Sequence, residues 1–163
     1  MLDYELVNGI EEWVRDYYSS YIDKNKDKLM SISKSVIYRG DFVHILNAEV
    51  GSMIVITKGL SSWSFCKEVA YAFSDKHAEN FEDEEDDVRV VENYIQVVYV
   101  LNGNKNIIDL ESLIDTEGLD SDTIDIIKDE KEAILILDAD MEYTVVKKDI
   151  IDNITYLYLS NNK

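Results

Sequence analysis

Two glutamates separated by one residue, Glu130 and Glu132, stand immediately before the apolar residues 133–137. In an extended strand, side chains two residues apart point to the same side. The spacing therefore predicts two carboxylates on one face at the end of a strand, above an apolar floor. Because neighbouring carboxylates raise one another's pKa, one of them could act as a general base. Taken alone, the pattern is more typical of a buried strand whose charged residues lie at its exposed end.

Two other short segments carry polar side chains suited to binding. Arg39 and Gly40 follow an apolar strand signal at residues 36–38, and the planar guanidinium of arginine can make paired hydrogen bonds to a phosphate. Residues 59–64 contain three serines and Trp63 and precede a helical pattern, which predicts a hydroxyl-rich turn at the start of a helix. Taken alone, these segments are more typical of a surface arginine and a helix cap.

Several other chemistries lack the residues that they require. The six glycines do not form a dinucleotide-binding or phosphate-binding loop motif. His44 and His77 are the only histidines, and neither has a cysteine or a second histidine at metal-ligand spacing. Cys66 is the only cysteine and has no evident base partner. We therefore expect neither a metal site nor a cysteine nucleophile.

The elements that must position these segments follow from the spacing of apolar residues. Ile10, Trp13, Tyr17 and Tyr21 recur every three or four positions and predict a helix over residues 8–23. Strand signals cover residues 36–38, 53–57, 95–101, 133–137, 143–146 and 154–159. Because helices come first and strands crowd the second half, the sequence predicts an α+β fold in a single domain spanning residues 1–163.

Three further segments are predicted from local patterns. Phe65, Val69 and Phe73 predict one face of a helix that begins near Ser64. Seven of the nine residues 79–87 are acids, and such a run predicts a solvated loop. Residues 110–128 are predicted to be a loop with one or two short helical turns.

The chain is strongly acidic, with 34 acids against 16 bases and a net charge of −18. Residues 1–78 carry 11 acids and 9 bases, which leaves a net charge of −16 on residues 79–163. A field of this sign repels phosphate backbones and anionic lipid, so a broad nucleic-acid-binding face and membrane attachment are not expected. It attracts basic protein partners instead.

The sequence predicts a cytoplasmic protein with no membrane partner. No apolar run approaches the roughly 20 residues that a membrane-spanning helix needs, and the first residues do not form a signal peptide. A single cysteine cannot form an internal disulfide, which suits a reducing compartment.

Taken together and in this order, the three polar segments resemble the arginine–serine–glutamate class of mono-ADP-ribosyltransferases, found among bacterial toxins and phage proteins. That family has an aromatic-Arg-Gly strand, a Ser-Thr-Ser strand end followed by a helix with an Ala-x-x-Phe pattern, and a Glu-x-Glu strand. The matching residues are Tyr38, Arg39 and Gly40, then Ser62, Trp63 and Ser64 with Ala70 and Phe73, then Glu130 and Glu132. The resemblance extends over residues 15–150.

The middle motif departs from the family pattern in two ways. Trp63 stands where threonine is usual, and Ser61 precedes Ser62, so the register of the motif could be shifted by one residue. We assign Ser62 to the motif because this register sets Ala70 and Phe73 at the expected distances. The loop before the Glu-x-Glu motif carries no aromatic residue that matches the family's target-recognition loop, which leaves the target open.

The resemblance implies that NAD is a substrate, with transfer of its ADP-ribose and release of nicotinamide. Breaking the bond between nicotinamide and ribose builds positive charge on the sugar, and Glu132 would stabilise that charge. Glu130 would orient or deprotonate the attacking group. The resemblance also implies that Arg39 binds the pyrophosphate and that Ser62 donates a hydrogen bond to Glu132 and contacts the ribose. It implies that the nicotinamide amide approaches the backbone at Gly40. Ser64 would contact the dinucleotide, and Phe73 would stack on the nicotinamide ring.

The resemblance also implies a fold and an acceptor. The implied fold has two small antiparallel sheets packed at a steep angle around an NAD cleft, flanked by N-terminal helices. A glutamate at the first position of the Glu-x-Glu motif is typical of the arginine-modifying branch of the family. The expected acceptor is therefore an arginine on a basic protein target.

Two alternatives stay open. The acceptor could be a nucleic acid, a small molecule or, in plain NAD hydrolysis, water. The chain could also be an inactive acidic interaction protein on the same fold, whose half with a net charge of −16 mimics a polyanion. A phage protein, the toxin of a toxin–antitoxin pair and a translocated effector all fit the resemblance, so an antitoxin or a carrier is a further expected partner.

Overall fold

The computed structural model describes residues 36–102, 107–109, 121–137 and 139–161. The strands in this part of the chain are β1 (Val36–His44), β2 (Met53–Ile56), β3 (Gly59–Ser64), β4 (Tyr94–Asn102), β5 (Ile107–Asp109), β6 (Glu132–Leu137), β7 (Met141–Ile151) and β8 (Ile154–Ser160). The helices in the same ranges are α1 (Lys67–Glu84), α2 (Val88–Val91) and α3 (Ser121–Asp129). The helix predicted over residues 8–23 lies outside the described residues.

The described strands form one sheet in the order β2-β7-β8-β4-β1-β3-β6-β5. Whereas β1 pairs with β4 along its whole length, it pairs with β3 at a single position, Tyr38 opposite Ser64. This junction, the corner, divides the sheet into a five-stranded half (β2, β7, β8, β4 and β1) and a three-stranded half (β3, β6 and β5).

A mainly antiparallel sheet with helices agrees with the predicted α+β class. The prediction of two separate antiparallel sheets is not confirmed, because the described strands belong to one sheet and β4 runs parallel to β8. The parallel pair arises because β7 and β8 form an antiparallel hairpin whose second strand returns beside β4. The predicted flanking N-terminal helices fall outside the described residues.

Alternating positions of the strands supply two apolar cores. In β4, Val97, Tyr99 and Leu101 belong to the first core, whereas Val98 and Val100 belong to the second. The first core also contains residues of the three-stranded half, namely Trp63, Ile107, Ala133, Leu135 and Leu137. Residues of both halves of the sheet therefore belong to one core. The second core lies under α1.

Helix α1 packs on β1 through small residues. Its buried side chains are Ala70, Ser74 and Ala78, which are spaced four apart on one face of the helix. A Cβ atom at Gly40 would lie 1.8 Å from the carbonyl oxygen of Ala70 and 2.6 Å from the backbone nitrogen of Ser74. Only a glycine in β1 permits this approach.

The face predicted from Phe65, Val69 and Phe73 is not the face of the helix that packs on β1. Phe65 precedes α1, and both Val69 and Phe73 are only half-buried. The hydrophobic pattern suggests the largest side chains for the interface, but a helix backbone that nearly touches a strand can place only small side chains between them.

The acidic run is divided between helix and loop. Residues 79–84 are the last part of α1, and residues 85–87 connect α1 to α2. The ring of Phe81 packs on those of Phe42 and Tyr94, with centroid distances of 5.4 and 4.5 Å. This contact holds the end of the helix on the sheet. The predicted loop is therefore wrong for the helical part, although the acidic side chains there are exposed.

Helix α3 supplies the helical turns predicted within residues 110–128, and it ends one residue before Glu130. Its Ile127 is fully buried. Among the described helices, none combines the length and the apolar character needed to cross a membrane.

Candidate active site

Ser62 and Glu132 meet at the centre of the candidate site. In the β3–β6 ladder, Ser64 lies opposite Glu132 and Ser62 lies opposite Ile134. Ser62 and Glu132 are therefore diagonal neighbours on one face of the sheet. The Ser62 hydroxyl donates a hydrogen bond to Glu132 Oε1, and the Glu132 side chain is fully buried. This is the hydrogen bond that the resemblance implies.

Glu130 lies in a turn rather than in the strand. Strand β6 begins at Glu132, and Lys131 has a φ of 49°, in the left-handed region. The prediction that both glutamates lie on one regular strand is therefore wrong, because Lys131 between them adopts a left-handed backbone conformation that a regular strand does not contain. The Oε2 atoms of both glutamates are nonetheless buried. At least one carboxylate oxygen of each glutamate is thus withdrawn from solvent.

Ser64 ties the end of β3 to this turn. Its hydroxyl donates a hydrogen bond of 2.7 Å to the carbonyl oxygen of Glu130 and accepts one of 2.9 Å from the backbone N–H of Cys66. The Phe65 N–H donates to the carbonyl oxygen of Lys131 at 3.0 Å. The resemblance gives Ser64 a contact with the dinucleotide. The structure gives its hydroxyl a part in fixing the backbone of Glu130.

The structure supplies packing reasons for two other predicted residues. The side of Gly40 that lacks a Cβ faces α1, so the helix accounts for the glycine without a bound nicotinamide. Phe73 is half-buried on α1, and the Lys76 ammonium lies 5.8 Å from its ring centroid. Within the described ranges, both residues are thus accounted for by contacts with α1.

Arg39 lies on the opposite face of the sheet from Ser62 and Glu132. Strand alternation puts Gly40 toward α1 and Arg39 toward the first core, and the Arg39 guanidinium carbon is 6.0 Å from the centroid of the Trp63 ring. The expected grouping of Arg39 with Ser62 and Glu132 is therefore not seen. The serine that lines a cavity with Arg39 is Ser61.

The cavity beside Arg39, the Arg39 cavity, has a volume of about 210 Å³. Its lining residues are Arg39, Asp41, Ile54, Val55, Ile56, Thr57, Ser61, Trp63 and Tyr99. The Trp63 Nε1–H donates a hydrogen bond of 2.8 Å to Ser61 Oγ. Burial raises the pKa of Tyr99 to about 12, and the Asp41 carboxylate adds to this rise while the Arg39 guanidinium opposes it.

Asp41 and Tyr99 are polar groups of this cavity that belong to none of the three sequence motifs. The rule that places residues two apart on one face of a strand could have added Asp41 to Arg39. The same rule does not identify Tyr99, because Tyr99 lies beside Arg39 only through the pairing of β1 with β4. Within the described ranges, no cluster of three or more His, Cys, Asp or Glu side chains is arranged to hold a metal ion.

No protein-family model and no curated protein matches this chain. Among solved structures, it is similar to the crystal structure of ADP-ribosyltransferase Vis in complex with agmatine, with 18% identity over 80% of this chain and 50% of that chain and a TM-score of 0.47. It is also similar to Vis toxin, an ADP-ribosyltransferase from Vibrio splendidus, with 17% identity over 80% of this chain and 49% of that chain and a TM-score of 0.44. The chain spans about half the length of these proteins.

Proposed function

We propose that this chain is an NAD⁺-dependent mono-ADP-ribosyltransferase that transfers ADP-ribose to an arginine of a protein and releases nicotinamide. The observation that supports this proposal is the fully buried Glu132 carboxylate, held by the Ser62 hydroxyl and separated by one residue from Glu130, whose Oε2 atom is also buried. The order of the three sequence motifs adds support.

The proposed reaction breaks the bond between the nicotinamide nitrogen and the ribose, and the electron pair of that bond leaves with nicotinamide. Positive charge then develops on the ribose, and the Glu132 carboxylate stabilises it. A carboxylate that is already oriented and shielded from water does so more effectively than one in water. The Ser62 hydroxyl keeps the carboxylate oriented, so no reorganisation is needed when the charge develops.

Glu130 is proposed to activate the acceptor. A guanidinium nitrogen of the target arginine forms the new bond to the ribose, and its proton passes to the Glu130 carboxylate. The hydrogen bond from Ser64 to the Glu130 backbone fixes the turn from which this side chain projects. The net charge of −18 would attract a basic target protein.

The proposed dinucleotide site rests on Glu132, Ser62 and Glu130. The role in pyrophosphate binding that the resemblance gives Arg39 is not supported by its placement, since its side chain lies at the other face of the sheet. The same placement favours a second candidate function, an acidic interaction protein without transferase activity, because the trio of the resembled family is divided between two faces. An antitoxin or a carrier protein remains a predicted partner in either case.

Incubation of the purified chain with labelled NAD⁺ and a bacterial lysate tests the proposal. The wild-type chain is expected to label protein, and Glu132→Gln is expected to lower the transfer rate at least about 10²-fold, the scale of removing one electrostatic partner of the transition state. Glu142→Gln, which changes an exposed glutamate on β7, is the matched control and should label as the wild type does.

The products separate the alternatives. Label removed by nuclease would move the acceptor to nucleic acid, and nicotinamide release without any label would indicate hydrolysis. Neither label nor released nicotinamide would favour the interaction protein. Near-normal transfer by Glu132→Gln would contradict the proposed role of Glu132.

A further inference from the structure

We propose that the Arg39 cavity binds a compact zwitterion of the α-amino-acid type, with its carboxylate on Arg39 and its ammonium group on Asp41. This site goes beyond the proposed transferase activity. It lies on the other face of the sheet from Ser62 and Glu132 and uses neither of them.

Arg39 and Asp41 offer opposite charges on one face of β1. At about 3.3 Å of rise per residue, their Cα atoms are about 6.6 Å apart along the strand. Among the described residues, no salt bridge joins the two side chains to each other. The Asp41 carboxylate is oriented by the Phe42 N–H, which donates to its Oδ1 at 2.8 Å. Two opposite charges that share a face without pairing match a ligand that carries both charges.

Tyr99 completes the polar floor of the cavity. It lies opposite Arg39 in the β1–β4 ladder and is almost fully buried. The charges of both Arg39 and Asp41 act on its hydroxyl, which is protonated at neutral pH because its pKa lies far above 7. The phenol can therefore donate to a carboxylate or accept from an ammonium group, according to how the ligand is placed.

The remaining walls set the size and character of the ligand. Ile54 and Ile56 present aliphatic surface, and Thr57 and Ser61 present hydroxyls. A volume of about 210 Å³ corresponds to about seven water molecules at roughly 30 Å³ each, well below that of a drug-sized site. An amino acid with a short aliphatic side chain fits this combination of two charges and an apolar wall.

The charge of the whole chain also favours a ligand without net charge. A free anion would be repelled by a net charge of −18, and a free cation would meet the Arg39 guanidinium inside the cavity. A zwitterion has no net charge to be repelled, and it can satisfy both side chains at once.

Calorimetric titration of the full chain with L-leucine tests the site, with two matched ligands that each lack one charge. 4-Methylpentanoate is leucine without its amino group, and 3-methylbutylamine is leucine without its carboxylate. Leucine is expected to bind at least about tenfold more tightly than either, a difference of about 1.4 kcal/mol. Equal binding of 4-methylpentanoate, or no saturable leucine binding up to about 10 mM, would overturn the proposal on the wild-type chain alone.

Two variants and one competitor locate the site. Arg39→Gln and Asp41→Asn should each weaken leucine binding at least about tenfold, while the exposed Glu142→Gln should leave it unchanged. Saturating NAD⁺ should not displace leucine, and displacement would overturn the proposal by making the cavity part of the dinucleotide site. Leucine binding without any labelling from NAD⁺ would refute the transferase and keep this site, so the two proposals fail separately.

Discussion

Ser61 and Ser62 are adjacent on β3, yet their hydroxyls belong to different sites. The Ser62 hydroxyl donates to the buried Glu132 carboxylate, whereas the Ser61 hydroxyl accepts from Trp63 and lines the Arg39 cavity. The Glu132 site holds two carboxylates, while the Arg39 cavity holds a guanidinium, a carboxylate and a phenol. A step of one residue along the strand therefore separates an acidic site from a cavity of mixed charge.

The position of a polar side chain on one face of the sheet, as well as its residue type, decides which groups it can contact. The acidic site has the sign needed to stabilise a developing cation. The Arg39 cavity has both signs and no excess of either among Arg39 and Asp41, so it suits a ligand that is already charged at both ends. The two proposals thus assign different chemistries to the two faces of the sheet at the corner.

The largest expected effect concerns the face of β1 that carries Gly40, which packs against α1, whereas the neighbouring Arg39 faces the cavity. Gly40→Ala should lower the free energy of unfolding by about 2 kcal/mol, because the new methyl group meets the backbone of α1. Denaturant unfolding measures the change. Gly51→Ala is the control: its surroundings are open but its φ is 94°, so it should cost about 1 kcal/mol from backbone conformation alone. A Gly40→Ala chain as stable as the wild type would contradict the close packing of this face.

The next effect concerns the desolvated phenol in the Arg39 cavity. The folded-state pKa of Tyr99, about 12, exceeds the ordinary value of 10.0, so the unfolded chain loses this proton first as the pH rises. Stability is therefore lost between pH 10 and 12, by about 1.4 kcal/mol at pH 11. Denaturant unfolding at pH 9 and pH 11 should show this loss, and Tyr99→Phe should remove that share of it. If Tyr99→Phe lost as much free energy of unfolding between pH 9 and pH 11 as the wild type, the Tyr99 hydroxyl would be solvated in the folded chain.

The smallest effect compares the two serines directly. Ser62→Ala and Ser61→Ala each remove one hydrogen bond, so each should lower the free energy of unfolding by about 1 kcal/mol. Only Ser62→Ala should also slow ADP-ribosyl transfer, by about fivefold, the kinetic equivalent of one hydrogen bond that orients Glu132. Measured rates at matched concentrations of folded protein test this. If both variants lost the same fraction of the transfer rate, Ser61 and Ser62 would belong to one site, and the division into two sites would be wrong.

The motif order was enough to predict that Ser62 contacts Glu132, because both lie near the paired ends of neighbouring strands. It was not enough to place Arg39. The face on which Arg39 lies relative to Ser62 depends on the single pairing of Tyr38 with Ser64, and no local pattern specifies that register. The face of α1 that packs on the sheet was missed for a similar reason, since it depends on the distance between the helix and β1.

The parallel partnership of β8 with β4 has a consequence for how the chain forms during synthesis. β8 lies between β7 and β4 in the sheet, so the five-stranded half cannot be completed until residues 154–160 have left the ribosome. Until then β4 has β1 on one side and lacks its β8 neighbour on the other. An unfilled strand edge is a template for pairing with other chains. A nascent chain stalled before residue 154 is therefore expected to be far more prone to aggregation than the finished one.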